Sequence, residues 1–368
     1  MTDLLYSDIE DDLRASVRQV LDDRAPWTSV LAGTEKDDPY DASLWRALAT
    51  GLGCAGLPVP ENLGGAGATW RETAVVMEEL GRFAAPVPFL TSSVVATAAL
   101  MAAGEPGVLD LLPRVAAGEK IAVLAVPFSA APGDEIGASA VTVQAGGDAL
   151  TGEVTSVADG MAADVLLVPA AGDLYAVAAA EARRTAVTSL DMTRRLADIA
   201  FTAAPARRVA GGTGAVDAAL LAGAAMLASE QLGLAERCLD DTVAYVKTRY
   251  QFGRPVGSYQ GLKHRLADLW TSITQARAVA RHAASCLATG GAAGDGDTRI
   301  AVAVAQAHCS ETALKAAEEC VQMHGGIGFT WEHPAHLYLK RAKADAIALG
   351  TPDRHRTALA GLVDLPPA

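Results

Sequence analysis

Two glycine-broken stretches of the chain gather the side chains best suited to hold a ligand. The first, Arg249-Tyr250-Gln251-Phe252-Gly253-Arg254-Pro255-Val256-Gly257-Ser258-Tyr259-Gln260, concentrates two cations, an aromatic ring and two amides in one turn. Arginine donates a planar fork of hydrogen bonds to anionic oxygens and a ring offers a flat apolar face, so the set suits an anionic ligand with a planar ring. The same residues also make an ordinary capped turn between two helices, where Gly and Pro are common. The second stretch, Gln322-Met323-His324-Gly325-Gly326-Ile327-Gly328-Phe329-Thr330-Trp331-Glu332-His333-Pro334, pairs two glycines that let a ligand approach the backbone closely. It is not a dinucleotide fingerprint, because no strand precedes it and the G-x-G-x-x-G spacing is absent. His333 and His336 beside Glu332 raise a metal reading, but Pro334 interrupts the helical spacing and the trio fits a solvated turn, so no metal is expected. Arg354, His355 and Arg356 fit either a phosphate contact or an exposed basic end to the chain.

The elements that must carry these stretches follow from composition and period. The chain has 368 residues, is 51% hydrophobic, and draws only 5% of its residues from Phe, Trp and Tyr. Its core is therefore mostly Ala, Leu and Val, which favours closely packed helices, and its length implies two or three domains. A net charge of −13 without a Lys/Arg-rich stripe excludes nucleic acid as the partner. The start, MTDLLYSDIEDDLR, is acidic where an export signal is basic, so a cytoplasmic protein is expected. The apolar run Ala218 to Ala228 is shorter than the ~18 residues of a membrane span and is expected to be a core helix. Five cysteines without CxxC spacing are expected to be reduced and buried.

Three domains are expected. Residues 1–117 are helical, with Thr69 and Glu72 forming a capping box and a helix from about Thr91 to Ala103. Residues 118–210 hold short β-type runs (Ile121-Ala122-Val123-Leu124, Val141-Thr142-Val143, Val165-Leu166-Leu167-Val168, Ile199-Ala200-Phe201), a pattern expected of an antiparallel barrel or sandwich. Gly211 to Gly214 read as a flexible junction. Residues 211–368 are expected to form a four-helix bundle. Leu239, Val243, Val246 and Tyr250 trace one helix face and Leu262, Leu266, Leu269 and Ile273 the next; Asp297 caps the third helix, and a final helix occupies roughly 334–348. The fold class is α+β.

The two stretches, at this separation and on this order of domains, resemble the acyl-CoA dehydrogenase family. Trp45 to Gly53, Pro58-Val59-Pro60-Glu61, Gly64-Gly65-Ala66-Gly67, Glu79-Leu80-Gly81-Arg82, Leu150-Thr151-Gly152-Glu153 and Asp164 to Val168 follow the family's pattern as well, so the resemblance covers essentially the whole chain. It implies an FAD site at a subunit interface. By that resemblance Arg249, Gln251, Phe252 and Gln260 hold the ADP half of an FAD bound mainly by the neighbouring subunit, and Gln322, Gly325, Gly326 and Thr351 contact the same cofactor. It further implies a dimer or tetramer, an acyl-CoA or acyl-carrier-protein thioester as substrate, and an electron-transfer flavoprotein or similar acceptor.

In that family a carboxylate removes the α-proton of the thioester while the β-hydrogen leaves as hydride to the flavin. Its commonest location resembles I-Y-E-G-T, and the matching residues here are Ile347-Ala348-Leu349-Gly350-Thr351: leucine stands at the glutamate position and accepts no proton. A second location, early in the first bundle helix upstream of Leu232-Gly233, falls on Gly223 or a neighbour, with no acid between Leu220 and Leu227. Where relatives set a T-E-P…G-S-D segment against the flavin ring, this chain has Ala125-Val126-Pro127-Phe128-Ser129-Ala130-Ala131-Pro132-Gly133-Asp134. Glu230, Glu332, Asp345 and Asp353 are the available acids near the site, and each has a structural default: a pair with a neighbouring helix for Glu230, a helix flank for Asp345, a solvated turn for Asp353. No residue is assigned as the base. The expected role is α,β-dehydrogenation of an acyl thioester as a subunit of a hetero-oligomer whose glutamate-bearing paralogue supplies the base. A homo-oligomer, a diverged flavin enzyme with other chemistry such as oxygenation, and a non-catalytic acyl-binding or scaffold subunit are the alternatives.

Overall fold

The computed structural model describes residues 4–38, 40–104, 110–136, 141–144, 147–211, 214–290 and 295–365. The chain opens with α1 (Asp8–Arg24), α2 (Trp27–Thr34), α3 (Ala42–Arg46) and α4 (Trp70–Phe83). Capping boxes start α1, through Ser7 and Glu10, and α4, through the Thr69 and Glu72 pair marked by the sequence. After Pro86 and Pro88 comes a π-helix, Phe89–Ala96, buried along its whole length and continued by α5 (Thr97–Ala103); the helix expected from Thr91 thus begins two residues earlier and is wound more widely. A short α6 (Leu112–Ala116) leads into the strands.

Eight strands build two four-stranded sheets: β1 (Ala122–Leu124), β4 (Val165–Ala170), β5 (Asp173–Ala178) and β8 (Arg207–Gly211) in one, β2 (Val141–Val143), β3 (Ala149–Ala158), β7 (Leu196–Pro205) and β6 (Arg183–Val187) in the other. The expected all-antiparallel pairing holds for every pair but one. β1 runs parallel to β4, because the chain visits the second sheet through β2 and β3 before returning, so the connection is a crossover and not a hairpin. Leu150, Val157, Ile199 and Phe201 from one sheet and Leu166, Leu174 and Val177 from the other join a single buried core. β5, β6 and β8 carry too mixed a pattern to stand out in the sequence.

The C-terminal helices are α7 (Gly214–Thr248), α8 (Gln260–Gly290), α9 (Gly296–His324) and α10 (Ala335–Asp345), with an additional α11 (Pro352–Leu362) that the sequence reading missed. Thr351 caps α11 and Pro352 opens it, so Asp353 stands in a helical first turn and not in a loop. Asp295, not Asp297, caps α9 by accepting from the Thr298 N–H at 2.8 Å. α7 ends at Thr248, so Tyr250 does not share the face of Leu239 and Val246; it lies in a two-residue strand, β9 (Tyr250–Gln251), paired with β10 (Arg254–Pro255). Of the expected junction, Gly211 ends β8 and Gly214 begins α7; Gly212 and Thr213 lie outside the described residues. α7 is the one described helix long and apolar enough to cross a membrane, and Ala218 to Ala228 is buried throughout within the fold.

α4 and α7 meet backbone to backbone. A Cβ on Gly81 would lie 2.0 Å from the Glu230 carbonyl oxygen, and one on Gly233 would lie 1.8 Å from that of Glu78. Each helix contributes the glycine that admits the other. Gly233→Ala is expected to force the helices apart and to lower stability by at least the ~1–3 kcal/mol of an overpacked core; a chemical denaturation midpoint unchanged from the parent would contradict this contact.

Candidate functional site

Seven of the eight residues assigned by resemblance to the cofactor gather at one end of the bundle. α7 and α9 end there and α8 begins there, and the Tyr245 ring of α7 stacks on His324 of α9 at 4.4 Å. Arg249 follows the last turn of α7, its carbonyl accepting from the Val256 N–H at 2.7 Å, which folds the segment back on itself. Gln251 faces Arg254 across the short β9–β10 ladder. Between them Phe252 takes a left-handed backbone, φ 53°, at the tip, and its ring is 92% exposed. Gln260 is the first residue of α8 and meets His264 Nε2 at 3.3 Å. Gln322, in the last turn of α9, takes the N–H of Gly325, which caps the helix at φ 62°; Gly326 follows in an exposed turn. Tyr250, Phe329 and Trp331 are also exposed here, at 62%, 77% and 64%. So many aromatics clustered in open solvent mark a surface meant to be covered.

Thr351 is placed elsewhere. Its hydroxyl accepts from the Arg354 N–H at 3.3 Å as the α11 cap, beside Leu349 and Gly350. Leu349 is buried with a left-handed backbone, φ 53°; its N–H donates to the Phe128 carbonyl at 2.8 Å, and its own carbonyl accepts from His355 Nε2 at 2.9 Å. Its side chain reaches Gly223: a Cβ on Gly223 would stand 3.0 Å from Leu349 Cδ1 and 2.9 Å from Val95 Cγ2 of the π-helix. The two positions that the resemblance implies for a base thus face each other in this chain, with Leu349 and Val95 methyls between them. Gly223 and Thr248 lie on the same helix, about 37 Å apart at 1.5 Å per residue.

A buried ionic cluster lies beside Leu349 and Phe128. Glu230 accepts from Arg341 Nε through one oxygen and from Arg194 Nη2 through the other, both at 2.6 Å; Arg194 also donates to Asp345 at 3.0 Å, and Arg341 reaches Asp191 at 3.3 Å. Burial alone would raise the pKa of Glu230, but Arg194 and Arg341 hold it below the ordinary value. A carboxylate held low, with both oxygens taken, is a poor base, and Glu230 instead ties α7 to α10 and to the β7 approach. Asp345 is wholly buried and not on an open flank; burial, then the charge of Glu230, push its pKa up. Glu332 is exposed, and Asp353 pairs with Arg356 at 3.0 Å. Arg354 and Arg356 are engaged by Asp134 and Glu311, which favours the structural reading of that basic segment. His333 packs on His324 at 4.1 Å and His336 edge-on to Trp331 at 4.7 Å, so the two imidazoles address different neighbours. Sequence reasoning missed Arg194, Arg341 and Asp191. Nothing in their local pattern separates them from surface charges; only burial does.

The two ends differ in what they can hold. Exposed donors, a flat ring and an open glycine turn at the motif end fit the adenine and phosphate portion of a dinucleotide seated on another molecule. Near Leu349, the cleft between Phe128, Ser156, Leu190, Arg194, Ile347 and Ala348 has a volume of about 260 Å3, below the ~300–1,000 Å3 typical of small-molecule sites. The Arg194 guanidinium lies 5.5 Å from the Phe128 ring centre at that cleft.

Asp159 adds a titratable contact under the π-helix. It accepts from the Thr91 hydroxyl at 2.7 Å, and burial, opposed by Arg194, raises its pKa from 3.8 to about 6. A folded-state value above the unfolded one gives stability that is full below pH 3.8 and lost as pH rises through about 6, a loss of about 3 kcal/mol at 1.36 kcal/mol per unit. Asp159→Asn is expected to unfold later than the parent in denaturant at neutral pH and to converge with it in acid; a constant offset across pH would contradict the assignment.

The acyl-CoA dehydrogenase N-terminal domain description matches residues 7–119, and the C-terminal domain description matches residues 210–362. Acyl-CoA dehydrogenase IpdE2 of Mycobacterium tuberculosis is 37% identical over 340 residues, covering 92% of each chain, and IpdE2 of Mycolicibacterium smegmatis is 36% identical over 341 residues, covering 92% of this chain and 94% of that one. Among solved structures, the ChsE4-ChsE5 complex from Mycobacterium tuberculosis superposes with a TM-score of 0.88 at 29% identity over 100% of both chains. The Tcur3481-Tcur3483 steroid ACAD superposes with a TM-score of 0.85 at 31% identity over 97% of this chain and 98% of that one. The chain belongs to the acyl-CoA dehydrogenase family, FAD-dependent oxidoreductases that act on CH–CH bonds.

Proposed function

We propose that this chain is the base-free subunit of a hetero-oligomeric acyl-CoA dehydrogenase. It lends its 249–260 and 322–326 segments to FAD seated on a glutamate-bearing partner of the same fold. One observation carries this reading: at the pocket end Leu349 meets Gly223 with no proton acceptor in either side chain, about 37 Å along α7 from the exposed cofactor motifs. That span is longer than a single FAD, so the motifs serve a different site from the pocket in their own chain. The ChsE4-ChsE5 complex and the Tcur3481-Tcur3483 steroid ACAD, each named for two proteins, support the pairing. Acyl thioesters, those with a steroid-derived acyl group first, are the substrates to test.

When bound, FAD takes up the hydride from the β-carbon. This chain's part is binding and orientation. Arg249 supplies positive charge to the phosphates, Gln251, Gln260 and Gln322 supply amide donors and acceptors, and Phe252 supplies a flat face that also excludes water. The open space at Gly325 and Gly326 lets the cofactor approach the backbone closely. Proton abstraction falls to the partner, since Leu349 offers no acceptor.

Two experiments test the division of labour. In the co-expressed complex, replacing the partner's glutamate with glutamine should abolish dehydrogenation, whereas the volume-conserving Leu349→Met should leave the rate within about twofold. Turnover of acyl-CoA by this chain alone would overturn the reading. Arg249→Ala should weaken FAD retention by the complex by roughly thirtyfold, the effect of losing about 2 kcal/mol from a charge-assisted bond, while this chain's own unfolding is unchanged. Unaltered retention would remove Arg249 from the site.

A further inference from the structure

The turn between β6 and β7 serves two places. Asp191 and Arg194 join the buried ionic cluster, whereas Met192 and Arg195 line a second cavity, of about 540 Å3, bounded also by α2, α3 and Pro86. That volume lies within the ~300–1,000 Å3 of small-molecule sites. The cavity shares no lining residue with the exposed motifs or with the cleft beside Leu349. Arg195 Nη2 donates to the Gly33 carbonyl at 3.3 Å and to that of Lys36, which holds the guanidinium at the wall and leaves its other two nitrogens unbonded. Arg24 and Lys36 are exposed on the same cavity, and neither side chain has a hydrogen-bond or ion-pair partner among the described residues, although Asp22, Asp23 and Asp37 stand beside them in sequence. Of the two acids on the wall, Asp41 is taken as the α3 cap, accepting from the Ser43 and Leu44 N–H groups at 3.0 and 2.9 Å, and Asp38 is exposed and unpaired. Among the described residues no group of His, Cys, Asp and Glu suits a metal ion, so these acids do not make a cation site. Tyr40, half-buried and with no hydrogen bond to its hydroxyl, joins Val30, Met192 and Pro86 in the apolar part of the wall.

We propose that this cavity binds a nucleoside phosphate. Arg24, Lys36 and Arg195 come from three separate segments and converge on one space, so together they meet the two or more negative charges of a phosphate group. The Tyr40 ring and the apolar side chains beside it offer the base a flat, dry face. Asp38 accepts hydrogen bonds from the sugar hydroxyls, as acids at nucleotide sites do. A bare anion would be repelled by Asp38 and would leave Tyr40 unused, whereas a nucleoside phosphate engages every group on the wall. The support is rigid. Arg194, the residue before Arg195, is buried and paired with both Glu230 and Asp345, so the turn that presents Arg195 is fixed before a ligand arrives and little ordering remains to be done on binding. The site goes beyond the division of labour proposed above and does not depend on it.

The full chain would be titrated calorimetrically with ADP, adenosine 3′,5′-bisphosphate, CoA, adenosine and inorganic phosphate. A single saturable site per chain is expected for the nucleotides, with adenosine and inorganic phosphate weaker by about tenfold or more. Arg24→Gln and Lys36→Gln, at exposed and unpaired positions, should each weaken nucleotide binding about tenfold and leave the denaturation midpoint where it was. CoA binding more tightly than ADP would identify the source as the nucleotide end of a thioester, and the reverse order a free nucleotide; either upholds the site. No saturable binding of any nucleotide at millimolar concentration, inorganic phosphate binding as tightly as ADP, or an affinity unchanged in both variants would each overturn the proposal. Binding lost in Arg249→Ala and kept in the Arg24 and Lys36 variants would assign the nucleotide to the FAD motifs and overturn it as well. Because Arg24 and Lys36 belong to neither motif, a loss confined to their variants leaves the FAD reading untouched.

Discussion

The backbone contact between α4 and α7 is the constraint on which the rest of the structure depends. With Gly81 seated on the Glu230 carbonyl and Gly233 on that of Glu78, α7 cannot slide or rotate without steric overlap. From that fixed point Glu230 grips Arg194 of the β domain and Arg341 of α10 in a site closed to water. Breaking such a pair leaves an uncompensated buried charge, so its members hold their geometry firmly even where the pair itself adds little net stability. One crossing thus locates the π-helix side of the pocket, the Leu349 turn and the start of the exposed motifs.

That geometry explains how a chain can keep a family's fold while part of its site goes apolar. The turn at Leu349 retains a left-handed backbone, costly for a leucine, because Phe128 and His355 hold its N–H and carbonyl. The side chain lies against Gly223 beside a Val95 methyl. At the far end of α7 the opposite holds: the rings of Tyr250, Phe252, Phe329 and Trp331 remain largely in solvent, a state that makes sense when another molecule covers them.

Much of this was legible in the sequence. The helical periods, the Thr69 capping box and the two glycine-broken motifs are local signals, and local signals survive into the fold. Tyr250 was misplaced because an amphipathic period says nothing about where a helix stops, and the chain turns back at Arg249 to pair β9 with β10. The parallel β1–β4 pair depends on a connection through another sheet, which no window of residues reveals. Helix α11 was hidden by its proline, which opens a helix when it follows a capping threonine. Asp345 and Glu230 were found as residues but not as a pair, since Arg194 and Arg341 reach them from distant parts of the chain. Thr351 was grouped with the motif residues by resemblance alone, and the structure sets it with Leu349 instead.

The most direct test of the division between the two ends is the flavin content of the purified chain, measured by its visible spectrum alone and after assembly with a glutamate-bearing partner. The expected result is a colourless chain by itself and a complex holding one FAD for every two chains, as a ring site completed by the partner requires. A yellow chain that alone carries one FAD per protomer, bleached on addition of acyl-CoA, would contradict it.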